Sequence, residues 1–267
     1  MGFGVTAPVR VAQGDYDKVV SAHSAYVKGS DTDQHFAYGP ILAQLEPLAG
    51  KRILDYGAGP GRLAQQLAAG GAESVVGVDI SGASMDAARR DYPSSAHPNL
   101  SFQQIASGDL SKVPGAGSFD AAVLSFVLCT MPDRGEIVGV LQGIRSVLKP
   151  GGELMIAESN WEKSNGADFI SFSMPKVDQL RSGESVRAIL KGKDGEPDLE
   201  TQDYFWSQKD YAEMLGEAGF RVRSIAEPVA ALDEPGDWLD ERRTPPNVII
   251  TAVESGVSGA SDHQPSA

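Results

Sequence analysis

Short apolar runs and amphipathic stretches alternate along most of this chain. Runs rich in Val, Ile and Leu are typical of buried strands, and apolar positions that recur every three or four residues are typical of helices. The alternation predicts strands over 52–56, 74–79, 100–105, 119–125, 153–158, 220–226 and 247–253, with helices over 61–69, 82–91, 134–147 and 208–217. We therefore expect an α/β fold: a doubly wound, mostly parallel, seven-stranded sheet with helices on both faces.

Two regions depart from this alternation. Over residues 16–48 the apolar positions recur at helical spacings, which predicts a helical segment before the sheet. Between Ser159 and Ser207 the alternation lapses, which indicates an insertion after the fifth strand. Inside it, the β-prone runs 185–191 and 199–206 flank an Asp-Gly pair, a signal for a hairpin. We expect the insertion to form a lid.

These patterns predict how the chain is organised. We assign residues 1–48 to an N-terminal helical cap, 49–159 to an α/β core, 160–206 to the lid with its hairpin, 207–254 to the rest of the core, and 255–267 to a disordered tail. The first residues lack the cationic start and continuous apolar core of a signal peptide, and no stretch reaches the roughly 18 apolar residues that cross a bilayer. We expect a cytoplasmic protein with no membrane partner.

Composition narrows the possible partners. The 267 residues carry a net charge of −13, so a polyanion would meet a repulsive field, and we expect no nucleic-acid partner. Cys129 is the only cysteine, which leaves no disulfide framework and no cysteine-based metal cluster. No set of His, Asp and Glu has metal-ligand spacing, so we also predict no metal. The oligomeric state stays open between a monomer and a homodimer.

The candidate chemistry lies where the first strand enters a glycine-dense turn. Residues 54–61 are Leu-Asp-Tyr-Gly-Ala-Gly-Pro-Gly, so a carboxylate, Asp55, stands just before the turn. Glycine permits positive φ and close approach of a ligand, and the following helix presents unpaired N–H groups. A second carboxylate, Asp79, ends the next strand at about the spacing at which doubly wound folds place an acid on a ribose. The pair indicates a site for a nucleoside-like ligand.

The glycine spacing argues against a dinucleotide. Dinucleotide sites have the pattern G-x-G-x-x-G/A, but the sixth position counted from Gly57 is Arg62. Asp55 would repel a pyrophosphate, whereas it suits a ligand that carries an ammonium and a sulfonium. S-adenosylmethionine is such a ligand.

The ordered set of motifs resembles that of the class I S-adenosylmethionine-dependent methyltransferases, in particular the small-molecule type. The matching segments are 54–61, Val78-Asp79-Ile80-Ser81, Gly108-Asp109-Leu110, Phe119-Asp120-Ala121-Ala122-Val123 and Leu148-Lys149-Pro150-Gly151-Gly152. The resemblance covers roughly residues 15 to 254. It implies a Rossmann-like methyltransferase fold, S-adenosylmethionine as cofactor and S-adenosylhomocysteine as product. It also implies methylation of an oxygen or nitrogen of a small organic acceptor, such as a metabolite or natural product.

The resemblance implies cofactor contacts along one edge of the sheet. The glycines would cradle the methionine part, Asp79 would bind the ribose hydroxyls, and Asp109 would lie near the adenine. Two alternatives stay open, since Asp55 could be a strand-end cap and Asp109 an exposed loop acid. The expected cofactor-binding residues are Tyr16, Asp55, Gly57, Gly59, Gly61, Asp79, Ile80, Asp109, Leu110, Ser125 and Phe126.

In the resembling enzymes, the lid and the N-terminal helices choose the acceptor. The residues expected to line or support an acceptor pocket are Phe169, Phe172, Met174, Tyr204, Phe205 and Trp206, although the same side chains could instead form the lid's own small core. Positioning of the two reactants alone can supply much of the rate acceleration of a methyl transfer. If a base is needed, the candidates are Glu158 at the end of the fifth strand, and His35 and Tyr26 of the helical segment, with Tyr16 and His23 beside them.

Two other functions remain open from the sequence. One is an enzyme on the same fold that uses S-adenosylmethionine for cyclisation or another reaction without methyl transfer, which the masses of the products would reveal. The other is a non-catalytic S-adenosylmethionine-binding module. The complete first motif and the aromatic-rich lid both weigh against that module, because a degenerate relative would be free to lose either.

Overall fold

A strand and a group of helices precede the main sheet. The computed structural model describes residues 8–11, 20–193 and 195–256, so the predictions for Tyr16 and for most of the C-terminal tail lie outside the described residues. The first elements are β1 (Val9–Val11), α1 (Val20–Gly29), α2 (Asp31–Asp33), a π-helical turn (Gln34–Tyr38) and α3 (Gly39–Leu45). The Ser30 side chain caps α2 by accepting a hydrogen bond from the Asp33 N–H at 3.1 Å.

The remaining strands and helices follow the predicted alternation closely. The strands are β2 (Arg52–Tyr56), β3 (Ser74–Asp79), β4 (Leu100–Gln104), β5 (Phe119–Ser125), β6 (Leu148–Ser159), β7 (Phe172–Ser173), β8 (Ser185–Leu190), β9 (Leu199–Tyr204), β10 (Phe220–Ala226) and β11 (Asn247–Glu254). The helices are α4 (Arg62–Ala69), α5 (Gly82–Asp91), α6 (Arg134–Val147), α7 (Trp161–Ser164) and α8 (Gln208–Glu217), with short 3-10 turns at Leu128–Thr130 and Asp240–Arg242.

The main sheet has seven strands in the order β10-β11-β6-β5-β2-β3-β4. The five strands from β6 to β4 are parallel, and β11 and β10 are antiparallel to their neighbours. The predicted fold class, a mostly parallel seven-stranded α/β sheet, is confirmed. Because the chain leaves β2 toward β3 on one side and returns to β5 on the other, a crevice opens at the carboxyl ends of β2 and β5, where such sheets bind ligands.

Helix ends are capped by residues that the sequence supplies locally. Ser81 accepts a hydrogen bond from the Ser84 N–H at 3.0 Å at the start of α5, and Asp133 accepts one from the Glu136 N–H at 2.9 Å at the start of α6. Each such cap stabilises a helix by about 1 kcal/mol. The cap at Ser81 also fixes the direction in which the chain leaves β3, beside the crevice.

Two apolar clusters cover the two faces of the main sheet. Leu54 and Leu124 belong to the cluster that includes α6 and α8, while their chain neighbours Ile53 and Val123 belong to the cluster that includes α3, α4 and α5. Successive residues of a strand point to opposite faces, so continuous apolar runs are required here. Burying a side chain of this size contributes about 1.5–3 kcal/mol, which makes this sheet the rigid base of the molecule.

A second sheet of four strands covers the crevice, in the order β1-β9-β8-β7. Strands β8 and β9 form an antiparallel pair in which Ala188 lies opposite Thr201. Strand β1 joins β9 in parallel, so this small sheet unites the start of the chain with the insertion. Its own apolar cluster contains Phe169, Phe172, Met174 and Phe205 among others. We call residues 160–206 the lid.

Buried polar contacts attach the lid to the N-terminal helices and to the C-terminal part of the chain. Glu241 is fully buried, and its Oε1 accepts hydrogen bonds from the Thr32 hydroxyl at 2.9 Å and from the Ile170 N–H at 2.7 Å. The Ser171 hydroxyl accepts from the N–H groups of Asp31 and Thr32 at 3.0 and 3.1 Å. Three segments far apart in sequence are thus held together over the crevice. Among the described helices, none has the length and apolar character to cross a membrane.

Candidate active site

The turn after β2 is shaped by three glycines with positive φ. The φ angles are +75° at Gly57, +52° at Gly59 and +85° at Gly61. A Cβ on Gly57 would lie 2.3 Å from Val127 Cγ2, and one on Gly61 would lie 2.6 Å from Phe102 Cζ. Gly59 differs, since nothing lies within 4 Å of the place where its Cβ would be. Two glycines therefore allow the turn to pack onto the protein, and the third leaves open space toward a ligand.

Asp79 ties this turn to the end of β3. Its Oδ2 accepts a hydrogen bond from the Gly59 N–H at 2.9 Å, and its Oδ1 accepts one from the Ser81 N–H at 2.8 Å. The next residue, Ile80, is 56% exposed although it is large and apolar. A carboxylate held in place by backbone groups, beside an open apolar side chain, matches a ribose with a flat base next to it.

Asp55 lies beneath the turn, 2% exposed. Burial, followed by the nearby charge of Asp79, raises the pKa of Asp55 to about 7, although the Ala64 N–H donates to its carboxylate. Among the described residues, its Oδ2 has no hydrogen-bond partner. An uncompensated carboxylate oxygen under a glycine cradle fits a ligand with a cationic tail, because such a ligand stabilises the charged form of the acid.

The chain changes direction sharply at the end of β5. Phe126 has a φ of +58°, a left-handed conformation that costs a residue with a side chain on the order of 1–2 kcal/mol. Its N–H still donates to the Ala157 carbonyl at 2.8 Å, so the bend is held by the neighbouring strand. Backbone strain of this kind is characteristic of functional sites. Here it turns Ser125, Phe126 and Val127 toward the crevice.

A cavity of about 300 Å³ occupies the crevice and continues beneath the small sheet. We call its two parts the turn half and the lid half. The turn half is lined by residues 57–60, Asp79, Ile80, Ser81, Ile105 and Ser107, and the lid half by Phe172, Ala188, Leu190, Thr201 and Asp203. Ser125 to Val127 and the helical residues Tyr26 and Asp33 also line the cavity, as do His23 and Cys129. The lid, the end of β5 and the N-terminal helices would thus enclose a ligand that is bound at the glycine turn.

Comparison with known proteins identifies the family. Residues 53–152 match the family described as Methyltransferase domain. The chain is 30% identical over 174 residues to the N-demethylindolmycin N-methyltransferase of Streptomyces griseus, an alignment that covers 65% of this chain and 70% of that protein. The chain belongs to the S-adenosylmethionine-dependent methyltransferases. The predicted family, enzyme class and cofactor are therefore confirmed.

Two further similarities agree with this assignment. The methyltransferase is 29% identical over 162 residues to the ubiquinone biosynthesis O-methyltransferase of Acinetobacter baylyi, which covers 54% of this chain and 66% of that protein. A solved S-adenosylmethionine-dependent methyltransferase from Mesorhizobium loti superposes with a TM-score of 0.58 at 17% identity, over 85% of this chain and 99% of that one. The second similarity supports the fold alone.

Most of the predicted cofactor residues of the methyltransferase surround the turn half, but Asp109 and Leu110 do not line the cavity. Asp109 is exposed, and its Oδ1 accepts hydrogen bonds from the Ser111 N–H at 3.2 Å and the Ser111 hydroxyl at 2.6 Å. Leu110 is buried in the main core. The Gly108 N–H donates to the Tyr56 hydroxyl at 2.9 Å and holds this loop against β2. Ile105 and Ser107 therefore form this part of the wall.

Of the candidate bases predicted for the methyltransferase, Tyr26, Glu158 and His35 occupy three different environments, and His23 lines the cavity. Tyr26 lines the cavity, and burial raises its pKa well above the usual range. Glu158 is 1% exposed and does not line the cavity; its Oε1 accepts from the Leu128 N–H at 2.8 Å, and burial raises its pKa to about 7. His35 is exposed outside the cavity, with its Nε2 2.5 Å from Glu234 Oε1.

The predicted acceptor residues also divide into two groups. Phe172 both lines the cavity and packs in the lid's apolar cluster. Phe169, Met174 and Phe205 are buried in that cluster and do not line the cavity. Tyr204 and Trp206 lie outside the cavity wall as well: the Tyr204 hydroxyl accepts from Gln202 Nε2 at 3.1 Å, and Trp206 Nε1 donates to the Met131 carbonyl at 3.1 Å. Trp206 packs against the apolar cluster of the main sheet rather than in the cluster of the lid.

Two acids of the cavity wall were not singled out from the sequence. Asp33 is 3% exposed; it hydrogen-bonds to the Tyr26 hydroxyl, and burial raises its pKa. Asp203 is 7% exposed and lies in β9. A signal for Asp203 was present, because the alternation Leu199, Thr201, Asp203 puts an acid on the buried face of a strand. Asp33 carries no comparable signal, since its helix has only three residues.

Proposed function

We propose that this methyltransferase transfers a methyl group from S-adenosylmethionine to an oxygen or nitrogen of a small organic acceptor in the lid half of the cavity. The observation that carries the proposal is the continuity of the cavity. One space runs from the turn that would hold the cofactor to an enclosed region under the small sheet. The cavity of about 300 Å³ would have to hold the cofactor as well, so the space left in the lid half is that of a small acceptor.

The charges of the wall also favour a small uncharged or cationic acceptor. Three carboxylates, those of Asp33, Asp79 and Asp203, line the cavity, whereas no Lys or Arg does so among the described residues. Burial lowers the pKa of His23, the histidine of the wall, to about 4, so it is neutral near pH 7. A phosphate-rich acceptor would meet only repulsion here.

The names of two relatives support the same class of acceptor. One relative is an N-methyltransferase that acts on N-demethylindolmycin, and the other is an O-methyltransferase of ubiquinone biosynthesis. Both names describe transfer to a small organic molecule. Neither name fixes the acceptor of this enzyme, because the lid of this chain supplies its own side chains to the cavity.

The chain's own residues would act mainly by binding and alignment. When bound, the cofactor supplies an electrophilic methyl group: the acceptor lone pair bonds to the methyl carbon while the carbon–sulfur bond breaks and sulfur keeps that electron pair. Asp79 would hold the ribose, Ile80 the adenine, and the glycine turn the methionine part. Phe172 and Leu190 of the lid would exclude water and hold the acceptor in line with the methyl group of the cofactor. Alignment of this kind contributes up to about 7–11 kcal/mol to catalysis.

Three of the predicted bases differ in whether they could take a proton from the acceptor. Tyr26 has a raised pKa, so its phenol stays protonated and would not accept a proton, and its hydroxyl is hydrogen-bonded to Asp33. Glu158 does not line the cavity, but it hydrogen-bonds to Cys129, which does. His35 lies outside the wall. Of these three, we propose Tyr26 as a residue that orients the acceptor and Glu158 as one that supports the wall.

An assay with isotope-labelled cofactor tests this function. The enzyme is incubated with S-adenosylmethionine carrying a deuterated methyl group and a panel of amines, phenols and alcohols, and the products are analysed by mass spectrometry. We expect labelled acceptor and S-adenosylhomocysteine in equal amounts. Methylthioadenosine or a cyclised cofactor in place of labelled acceptor would contradict the proposal, as would S-adenosylhomocysteine binding without any turnover across the panel.

A further inference from the structure

Asp203 is a charged residue in a place where strands normally carry apolar side chains. In β9 the residues Leu199, Thr201 and Asp203 are buried, and the alternate residues Glu200 and Gln202 point the other way. The carboxylate lines the lid half of the cavity with Thr201 beside it. An acid on the inward face of a strand is costly to keep unless it is paired.

Asp203 has no such pair within the described part of the chain. Its carboxylate makes no hydrogen bond and no ion pair with any described residue, although the residue is 7% exposed. Asp79 in the turn half is different, because two backbone N–H groups hold its oxygens. The oxygens of Asp203 therefore remain available to a ligand in the cavity.

The groups around Asp203 do not supply a compensating positive charge. Those that interact with it electrostatically are Glu158 of β6, Cys129 of the 3-10 turn and Tyr211 of α8, which are acidic or neutral. Burial raises the pKa of Asp203 to about 7. A cation placed against it would favour the charged carboxylate and bind more tightly as a result.

We propose that Asp203 recognises an ammonium group of the acceptor, which makes small amines the substrates of this enzyme. The inference rests on the proposed function and adds the substrate class to it. The carboxylate would accept hydrogen bonds from the acceptor's N–H groups, and the apolar wall formed by Phe172, Leu190 and Ala188 would bind its hydrocarbon part. A carboxylate-bearing acceptor is excluded, because its charge would face that of Asp203.

A set of matched ligands tests the inference by binding alone. Benzyl, 2-phenylethyl and 1-naphthylmethyl compounds are each used as the amine, the alcohol and the carboxylic acid. Binding to the enzyme saturated with S-adenosylhomocysteine is measured by calorimetry at pH 8. We expect at least one amine to bind about tenfold or more tightly than its alcohol, since hydrogen bonds to a charged group are roughly twice as strong as neutral ones. We expect the carboxylic acids not to bind.

Two variants connect this preference to Asp203. In Asp203→Asn the amine affinity falls by about tenfold and approaches that of the alcohol, while S-adenosylhomocysteine binds as before. In Glu200→Gln, a matched change on the opposite face of the same strand, the amine affinity stays at the wild-type level. Asp203→Asn also melts at the same temperature as the wild type or higher at pH 8, because it removes an unpaired buried charge.

Several outcomes would overturn the inference. In the ligand series, these outcomes are that alcohols or carboxylic acids bind as tightly as the amines, or that none of the amines binds. In the Asp203→Asn variant, they are an unchanged amine affinity, or a lower melting temperature, which would indicate a structural partner. A failure of the proposed function looks different. It would appear as absent labelled product in the turnover assay, whatever these binding measurements give.

Discussion

The two halves of the cavity are built in different ways. The turn half comes from short contiguous stretches, residues 57–60 and 79–81, joined by hydrogen bonds between near neighbours in space. The lid half combines side chains from β7, β8 and β9, and Tyr26 of α1 and Asp33 of α2 complete the wall nearby. The wall of the turn half therefore depends mainly on local backbone geometry, whereas the wall of the lid half depends on how distant segments pack.

Two acids of the cavity wall, Asp79 in the turn half and Asp203 in the lid half, differ in the same way. Asp79 is held by the N–H groups of Gly59 and Ser81, so its carboxylate is in place before a ligand arrives. Asp203 is buried without a hydrogen-bond partner among the described residues. Burial of the Asp203 carboxylate without a partner therefore destabilises the fold, whereas the hydrogen bonds to Asp79 offset the cost of its charge. We read this as specificity maintained at a cost in stability.

The largest expected effect concerns the rigidity of the turn half. In Gly57→Ala the new Cβ would meet Val127 at 2.3 Å and would require a φ of +75°, so we expect the free energy of unfolding to fall by about 2–5 kcal/mol. Gly151→Ala is a matched control, since its φ is +81° but nothing lies within 4 Å, and it should cost about 1 kcal/mol. Guanidinium unfolding measures both. Equal losses would show that the turn is not closely packed against Val127.

The second prediction tests whether Asp79 organises the cofactor. Asp79→Ala removes the acceptor for two backbone N–H groups and for the ribose, so we expect the affinity for S-adenosylhomocysteine to fall by about a hundredfold. Titration calorimetry measures the change. The exposed Asp86→Ala on α5 serves as the control and should bind like the wild type. An unchanged affinity in Asp79→Ala would remove the contrast between the two halves.

The third prediction concerns the pH dependence of the buried acid beneath the lid. Burial raises the pKa of Glu158 to about 7, so the folded state holds a proton that the unfolded chain releases near its ordinary value of 4.5. Its contribution to stability is therefore lost as the pH rises from about 4.5 to 7.

Glu158→Gln removes this dependence while keeping an acceptor for the Leu128 N–H. The free energy of unfolding of Glu158→Gln minus that of the wild type should increase by on the order of 2 kcal/mol from pH 5 to pH 8. Denaturant unfolding at the two pH values measures this, with the exposed Glu213→Gln as the control. A relative stability that does not change with pH would mean that Glu158 is already charged in the fold.

The smallest expected effect separates support of the lid from contact with the acceptor. Trp206→Phe removes the hydrogen bond to the Met131 carbonyl and should lower the free energy of unfolding by about 1–2 kcal/mol. Because Trp206 lies outside the cavity wall, the affinities for S-adenosylhomocysteine and for the amine probes should not change. A selective loss of amine binding at full stability would instead give Trp206 a direct role in the lid half.

Prediction from the sequence succeeded where neighbouring residues determine the backbone. The alternation of apolar runs predicted the seven-stranded sheet, and the glycines with Asp55 and Asp79 predicted an S-adenosylmethionine site. Asp109 shows the limit of this reasoning. Its motif matches the family, yet Ile105 and Ser107 line the cavity and Asp109 does not, so its place near the adenine stays a prediction.

The sequence by itself determined the α/β core, the turn after the first core strand and the family to which the enzyme belongs. These depend on the period of side-chain burial and on glycine's access to positive φ, which are properties of short segments. Only the tertiary structure decided which side chains line the lid half of the cavity. It placed Asp203 and Asp33 in the wall and left Phe169, Met174 and Trp206 behind it. Side-chain direction there depends on the docking of segments far apart in the chain, through contacts such as those of Glu241.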